Sequence, residues 1–330
     1  MAERLSTAMS RRGLLSTLIV MPVLGLGMNA GAQEQTSDIT HETASLKADT
    51  DNDQRLTIEV MINNKGPYRF IVDTGAESSV LADNVATELG LVCDKTLIVK
   101  DIASRITVPA ALIEDMSFGP FKRQNLTLPV MPRANLLMDG YLGLDMIKGT
   151  QVTFDFKHMQ VRVSERKSRY MPGSALALTK RLPAVGANGR LFITDCVVDG
   201  IAASAFIDTG AEVSVGNLAL GQALMKRNRR SDYVGSLKLT GVSGGQVKGN
   251  VLAVKNIQME RMSFRNGLMA IADVPGFNIW QLTKRPALMI GMDYLRQFDA
   301  VTIDFHNKEL SFLIAPPVPN ARHIDEVAMD

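Results

Sequence analysis

Asp73-Thr74-Gly75-Ala76-Glu77-Ser78-Ser79-Val80 returns 135 positions later as Asp208-Thr209-Gly210-Ala211-Glu212-Val213-Ser214-Val215, with seven of the eight residues identical. An apolar, strand-like run precedes each copy, Tyr68-Arg69-Phe70-Ile71-Val72 in the first and Ala203-Ser204-Ala205-Phe206-Ile207 in the second. A carboxylate standing alone at the end of a buried strand is costly to ionise. Two facing carboxyls about one hydrogen bond apart behave differently, because like charges that close cannot both ionise and the pair shares one proton. Such a pair can hold a water, one acid serving as general base and the other as general acid. The glycine lets the backbone turn sharply and approach the carboxylate. Its N–H and the threonine hydroxyl can donate hydrogen bonds that keep the carboxyls coplanar. On this reading Asp73 and Asp208 are the reacting acids, and Thr74, Gly75, Thr209 and Gly210 position them.

The duplication extends outward from these two stretches. Tyr141-Leu142-Gly143-Leu144-Asp145-Met146 matches Met289-Ile290-Gly291-Met292-Asp293-Tyr294, with Gly143 lying 70 positions after Asp73 and Gly291 lying 83 after Asp208. Each is followed by a similar strand, Val152-Thr153-Phe154-Asp155-Phe156 or Val301-Thr302-Ile303-Asp304-Phe305. Upstream, Leu56–Met61 alternates and turns at Asn63–Pro67, while Leu191–Val198 alternates and turns at Asp199-Gly200. Val85–Leu89 and Leu218–Met225 each read as a short helix outside the sheet.

These residues resemble the retropepsin and pepsin families of aspartic proteases, and Asp-Thr-Gly-Ala is the retropepsin form. Tyr141-Leu142-Gly143 and Met289-Ile290-Gly291 resemble the apolar-apolar-Gly run that crosses behind the active-site loop in those families. The resemblance covers most of residues 55 to 313. It implies an all-β fold of two similar retropepsin-like β-barrel lobes in one chain, forming a pseudo-two-fold cleft. A retropepsin obtains the same pair of aspartates from two identical chains, so this chain is expected to be a monomeric pseudo-dimer. The expected layout is a signal peptide over 1–32, a flexible lead over 33–54 and an N-terminal lobe over 55–163. An interlobe linker over 164–182, a C-terminal lobe over 183–314 and a tail over 315–330 complete it. The implied activity is endopeptidase cleavage of an extended polypeptide whose backbone pairs with strands of the cleft. The alternative is a catalytically silent peptide-binding module of the same fold, although such a module has no need for two closely spaced acids.

By the same resemblance Ala76, Glu77, Ala211 and Glu212 line the substrate cleft, and a merely solvated glutamate is the alternative for Glu77 and Glu212. Leu237–Val247 reads as a hairpin with a glycine-rich tip, so Gly241, Val242, Ser243 and Gly244 are expected to contact substrate as a flap. Its counterpart, Leu97–Thr107, lacks the glycines, which implies that one flap moves more or that only one reaches substrate. Ordinary surface hairpins are the alternative. Gly241–Gly245 also fits the G-x-S-x-G pattern of serine hydrolases, but that elbow needs a helix after the turn, and Val247–Val254 continues as strand. The recurring acids Asp145 and Asp293 read as helix N-caps, and Asp155 and Asp304 as residues of strand ends and turns. His158 and His306 share the turn reading.

The formal net charge of +2 and the aromatic content of 5% argue against nucleic acid as a partner. No cofactor or metal is implied. Asp49–Asp53 imitates the start of a calcium loop, but Gln54 stands where that loop needs Gly and Val60 where it needs Glu. Cys93 and Cys196 allow one disulfide or two free thiols. Arg11-Arg12 ahead of the apolar run Leu14–Met28 and the small residues Ala30-Gly31-Ala32 read as an export leader, of twin-arginine or ordinary type, with a mature start near Gln33. The implied location is periplasmic or secreted, with no membrane span after leader removal. A further alternative has Gln33–Gln54 lying in the cleft as a zymogen segment. Ala76 and Ala211 stand where pepsin-like enzymes have a hydroxyl that favours the charged dyad. Activity is therefore expected to peak in weakly acidic solution, and a pH–rate profile peaking near pH 2 would refute this.

Overall fold

The computed structural model describes residues 13–15, 19–22, 43–51, 55–165, 178–187, 190–227, 233–259, 262–279 and 281–314. Two nine-stranded sheets follow one plan. In the N-terminal lobe the order is Ile19–Pro22, Lys95–Lys100, Arg105–Phe118, Phe121–Met131, Val80–Ala82, Gly140–Leu142, Lys65–Val72, Leu56–Ile62, Asp49–Thr50. In the C-terminal lobe it is Gly13–Leu15, Tyr233–Gly241, Gln246–Met259, Met262–Ile271, Val215–Gly216, Ala287–Ile290, Ile201–Ile207, Arg190–Val198, Val185–Ala187. Each sheet curls until the third strand also pairs with the eighth, through Met61↔Ser117 and Ile62↔Met116 in one lobe and Val197↔Gln258 in the other. The chain is thus all-β, with two barrel-like lobes.

Local sequence explains the matching hairpins. Leu56, Ile58, Val60 and Ile62 are buried while Glu59 is exposed, the period of a half-buried strand. The connection to Lys65–Val72 is only Asn63-Asn64, both with positive φ, as a tight twisted hairpin requires. Asp199-Gly200 makes the equivalent turn with φ of 44° and 80°. Short helices at Asp83–Glu88 and Leu218–Arg227 stand where the sequence places them.

A third sheet joins the lobes, in the order Leu178–Pro183, Glu309–Ile314, Ala300–Asp304, Gln151–Asp155, Gln160–Ser164, Thr43–Lys47. Its central pair is antiparallel and crosses between lobes, with Thr153 opposite Thr302. Their hydroxyls are 2.8 Å apart, and Gln151 Nε2 donates to Asp304 Oδ2 at 3.0 Å. This sheet corrects two expectations. The supposed flexible lead contributes Thr43–Lys47 as an edge strand and Asp49–Thr50 as a partner of Leu56-Thr57. Its described part is therefore in sheets and not in a cleft. The far end of the supposed linker, Leu178–Pro183, is the other edge strand, while residues 166–177 lie outside the described residues. An edge strand needs few apolar side chains, so Ala44 and Leu46 suffice where composition suggested a loose segment.

Asp155 and Asp304 close hairpins as expected, accepting from His158 N at 2.9 Å and Asn307 N at 2.8 Å. Both cysteines are free: Cys93 is exposed, and burial pushes the Cys196 thiol up to about 12. Among the described residues no helix is long and apolar enough to cross a membrane, and no group of three or more His, Cys, Asp or Glu is placed to hold a metal ion.

Asp145 and Asp293 are not the N-caps the sequence suggests, since Gly143 and Gly291 hold those positions. They brace the motif loops from behind. Asp145 accepts from Ser79 N at 2.9 Å and Ser79 Oγ at 2.8 Å, and Asp293 from Ser214 N at 3.0 Å and Ser214 Oγ at 2.6 Å. Each serine Oγ in turn accepts from the crossing glycine, Gly143 N at 3.0 Å or Gly291 N at 2.9 Å. Burial raises both carboxyls, Asp293 to about 6, against the pull of the serine hydrogen bonds. The folded chain then holds a proton on Asp293 more tightly than the unfolded chain does, so raising the pH from about 4 to about 6 favours unfolding. Urea titrations across that window should show stability falling by up to about 1.4 kcal/mol per pH unit from this group, and Asp293→Asn should flatten the fall.

Candidate active site

The strands Lys65–Val72 and Ile201–Ile207 each deliver an aspartate to the middle of the molecule. The crossing strands lie parallel to them, and Asp73 N donates to Leu142 O at 2.9 Å while Asp208 N donates to Ile290 O at 3.0 Å. Beyond the aspartates the two loops interlock. Thr74 N donates to Thr209 Oγ1 and Thr209 N donates to Thr74 Oγ1, both at 3.1 Å. Thr74 Oγ1 then donates to Ile207 O at 3.1 Å, and Thr209 Oγ1 to Val72 O at 2.6 Å. Each threonine thus fastens its loop to the strand end of the opposite lobe.

This crossing sets the carboxyls. Asp73 Oδ1 accepts from Gly75 N at 2.7 Å and Ala76 N at 3.0 Å, and Asp208 Oδ1 from Gly210 N at 2.9 Å. Both aspartates are fully buried. A Cβ placed on Gly75 would overlap the Asp208 carboxyl, so the first motif comes up against the acid of the second. Only glycine permits that approach.

Arg55 adds a cross-lobe brace below the loops. Fully buried, it pairs through Nη2 and Nε with Asp51 Oδ2, at 2.5 and 2.7 Å. Its Nη1 donates to Tyr141 Oη and to Gly210 O of the other lobe's motif, each at 3.2 Å. Tyr141 Oη donates onward to Leu136 O at 3.2 Å, and burial pushes its phenol up to about 12. The hydroxyl therefore stays protonated and neutral beside Asp73. Sequence reasoning passed over Arg55, although a signal exists: Arg55 and Arg190 each stand 18 residues before a motif aspartate.

Above the loops the two hairpins meet tip to tip. Asp101, in the tip between Lys95–Lys100 and Arg105–Phe118, is buried and takes Ala103 N at 2.9 Å and Ser104 N at 2.8 Å on Oδ1. Its Oδ2 accepts from Ser243 N of the other tip at 2.8 Å, and the Ser104 and Ser243 hydroxyls are 2.8 Å apart. Ile102 is fully buried in a cluster whose other buried members, Ala211, Leu239 and Phe277 among them, all belong to the C-terminal lobe. A Cβ on Gly241 would run into the Asp101 carboxylate, and one on Gly245 would lie 2.9 Å from Ala103 Cβ. Gly241 and Gly245 therefore make room for the opposite tip.

The structure brings Asp73, Thr74, Gly75, Ala76, Asp208, Thr209, Gly210 and Ala211 together at the centre, all buried. Glu77 and Glu212 are half-buried at its margin, and their carbonyls accept from Asp145 N and Asp293 N. Gly241, Val242, Ser243 and Gly244 form the C-terminal tip, where Ser243 engages the other tip and sits between two strands, not before a helix. Besides Arg55, sequence reasoning missed Asp101, Ile102 and Ser104, whose importance exists only where the tips touch.

Residues 58–146 match the family model described as Aspartyl protease. The matched stretch contains Asp73 and the Tyr141-Leu142-Gly143 crossing and stops before the second copy of the motif. No curated protein matches the chain. Replacing Asp101 by Asn turns an acceptor facing Ser243 N into an ill-fitting amide and removes a charge-assisted bond of about 1.5–3 kcal/mol. Amide exchange at residues 101–104 and 242–245 should then rise by roughly ten- to a hundredfold. Unchanged protection would show that the tips are held by packing alone.

Proposed function

We propose that this chain, whose residues 58–146 match the Aspartyl protease family model, is an exported aspartic endopeptidase acting on extended polypeptide segments. The observation that carries the reading is the reciprocal Thr74–Thr209 hydrogen bonding, which supports a single reacting centre built from both motifs. Facing each other about one hydrogen bond apart, Asp73 and Asp208 would share one proton, since like charges at that spacing cannot both ionise. The ionised member draws a proton from water as the oxygen attacks the peptide carbonyl, and the protonated member donates toward the carbonyl oxygen. Collapse of the tetrahedral species passes a proton to the leaving amine and restores the shared-proton state. The glycine N–H donors at 2.7 and 2.9 Å hold both acids in place. Closed tips exclude water that does not react.

Thr74, Gly75, Thr209 and Gly210 serve as positioning residues. Ala76, Glu77, Ala211, Glu212 and the tip residues Gly241–Gly244 border the substrate's path. The substrate is polypeptide, neither nucleic acid nor a membrane span is involved, and one chain supplies both acids as a monomer. The leader over residues 1–32 sends it to the periplasm or outside the cell. A catalytically silent peptide-binding module is the second reading, because the fully buried acids and joined tips also suit a chain that holds a peptide without cutting it.

Cleavage of an unfolded protein mixture from pH 3 to pH 8 tests the choice. Asp73→Asn and Asp208→Asn should each lower the rate by at least about a thousandfold, because residues acting as a unit fail together. Activity surviving either change would move the chemistry elsewhere, and peptide binding without cleavage by the wild type would favour the silent module.

A further inference from the structure

One run of the chain, residues 43–51, serves two sheets with its two edges. On one side Thr43–Lys47 pairs with Gln160–Ser164, and Ala48 N continues that ladder to Met159 O at 2.9 Å. On the other side Asp49 and Thr50 pair with Thr57 and Leu56, and Asp51 N donates to Arg55 O at 3.1 Å. Backbone groups alternate sides along a paired strand. With Ala48 turned to the first sheet, Ser45 and Lys47 therefore present their N–H and C=O to the second side, as Asp49 and Asp51 do. By the same alternation Glu59, two residues beyond Thr57, turns its own backbone groups toward Lys47. No pair of described strands makes that rung, because beyond Thr57 the strand Leu56–Ile62 leaves the run and pairs at Met61 with Ser117.

The result is a fork with a groove of about 720 Å³ in it. That volume lies within the roughly 300–1,000 Å³ usual for ligand clefts. Ser45 and Lys47 line one wall, and Thr57, Glu59 and Met61 line the other. The fork is held open from both sides. The Met61↔Ser117 pairing draws the second wall away, and the turn at Gly119 abuts the first, where an added Cβ would lie 2.7 Å from Leu46 Cδ2. Zipping it shut would therefore break the pairing that closes the N-terminal barrel. Lys47 and Glu59 are both exposed and set one charge of each sign on facing walls. None of the groove's lining residues belongs to a motif loop or a hairpin tip.

We infer that this fork is a second polypeptide-binding site, separate from the motif loops, which takes an extended segment by strand addition. Backbone donors and acceptors that recur at strand spacing along Ser45 and Lys47, with Glu59 opposite, match another backbone. Pairing of that kind supplies affinity with little demand on side-chain identity. An acidic residue of the segment set against Lys47 and a basic one against Glu59 fix its register. A polypeptide lodged in the fork by one stretch raises the effective concentration of its other stretches at the reacting centre. The inference adds a site to the proposed function, and it rests on the polypeptide partner of that reading and not on cleavage.

The test uses the full chain carrying Asp208→Asn, so that no cutting confuses the result, with fluorescein-labelled casein as the unfolded polypeptide. Saturating casein should slow exchange of the Ser45, Lys47 and Glu59 amides by about tenfold or more. Adding Ser45→Pro removes a donor that faces the groove and leaves the ladder to Gln160–Ser164, because Thr43–Lys47 is the outermost strand of its sheet. Casein affinity should then fall by about tenfold, while protected amides in Ala300–Asp304 report intact folding. Should the proline variant not fold, exchange in the chain without it decides the matter. Casein that slows exchange only at the motif loops and tips, equal affinity in a folded proline variant, or no casein binding at all would overturn the inference. Cleavage by the wild type without protection at the fork would leave the endopeptidase and remove this site. Protection at the fork without cleavage would do the reverse.

Discussion

The structure depends on two threonines that cannot satisfy their hydrogen bonds within their own lobes. Thr74 and Thr209 are buried, and each gives its N–H to the other's hydroxyl and its own hydroxyl proton to a carbonyl across the interface. Separating the lobes would expose or strand four donors, each costing about 1–3 kcal/mol if left buried and unpaired. The arrangement has no slack: a loop displaced by an ångström breaks two bonds at once. That rigidity gives the two carboxyls a fixed relation, since each accepts from the glycine N–H of its own locked turn, Asp73 from Gly75 and Asp208 from Gly210.

Other contacts hold this crossing from three sides. Behind it, Asp145 with Ser79 and Asp293 with Ser214 tie each motif loop to its crossing strand. Below it, the Arg55–Asp51 pair reaches from one lobe to the backbone of the other. A buried ion pair of this kind adds little net stability but is costly to break by halves, so it acts chiefly to specify geometry. Away from it, Gln151–Asp155 and Ala300–Asp304 continue one sheet through both lobes.

The hairpin tips show what a single chain gains over a pair of identical ones. In a two-fold homodimer a tip bearing a buried acid would face the same acid on its partner, and the charges would repel. Here the acid of one tip meets an N–H of the other, and Gly241 is small because Asp101 comes close to it. Within this one chain the two tips are complementary halves, while the two motifs are nearly identical.

The all-β class, the two barrel-like lobes and the two motif loops that meet at the centre were legible in the sequence, because repetition of Asp-Thr-Gly-Ala and of the apolar-apolar-Gly-x-Asp run is local and survives in the order of residues. The hairpin turns at Asn63-Asn64 and Asp199-Gly200 were legible for the same reason, as chain-local φ preferences. Asp101, Ile102, Ser104 and Arg55 were not, since each works through a residue more than a hundred positions away or in the other lobe. Thr43–Lys47 read as a loose lead because edge strands carry too few apolar residues to show their period. The order of residues dictates which stretches repeat, hence which turns and strands form twice, and that one tip has glycines where the other has none. What those differences are for emerges in the folded chain alone, because contacts across an interface depend on which surfaces meet, and no local pattern in either copy encodes the other.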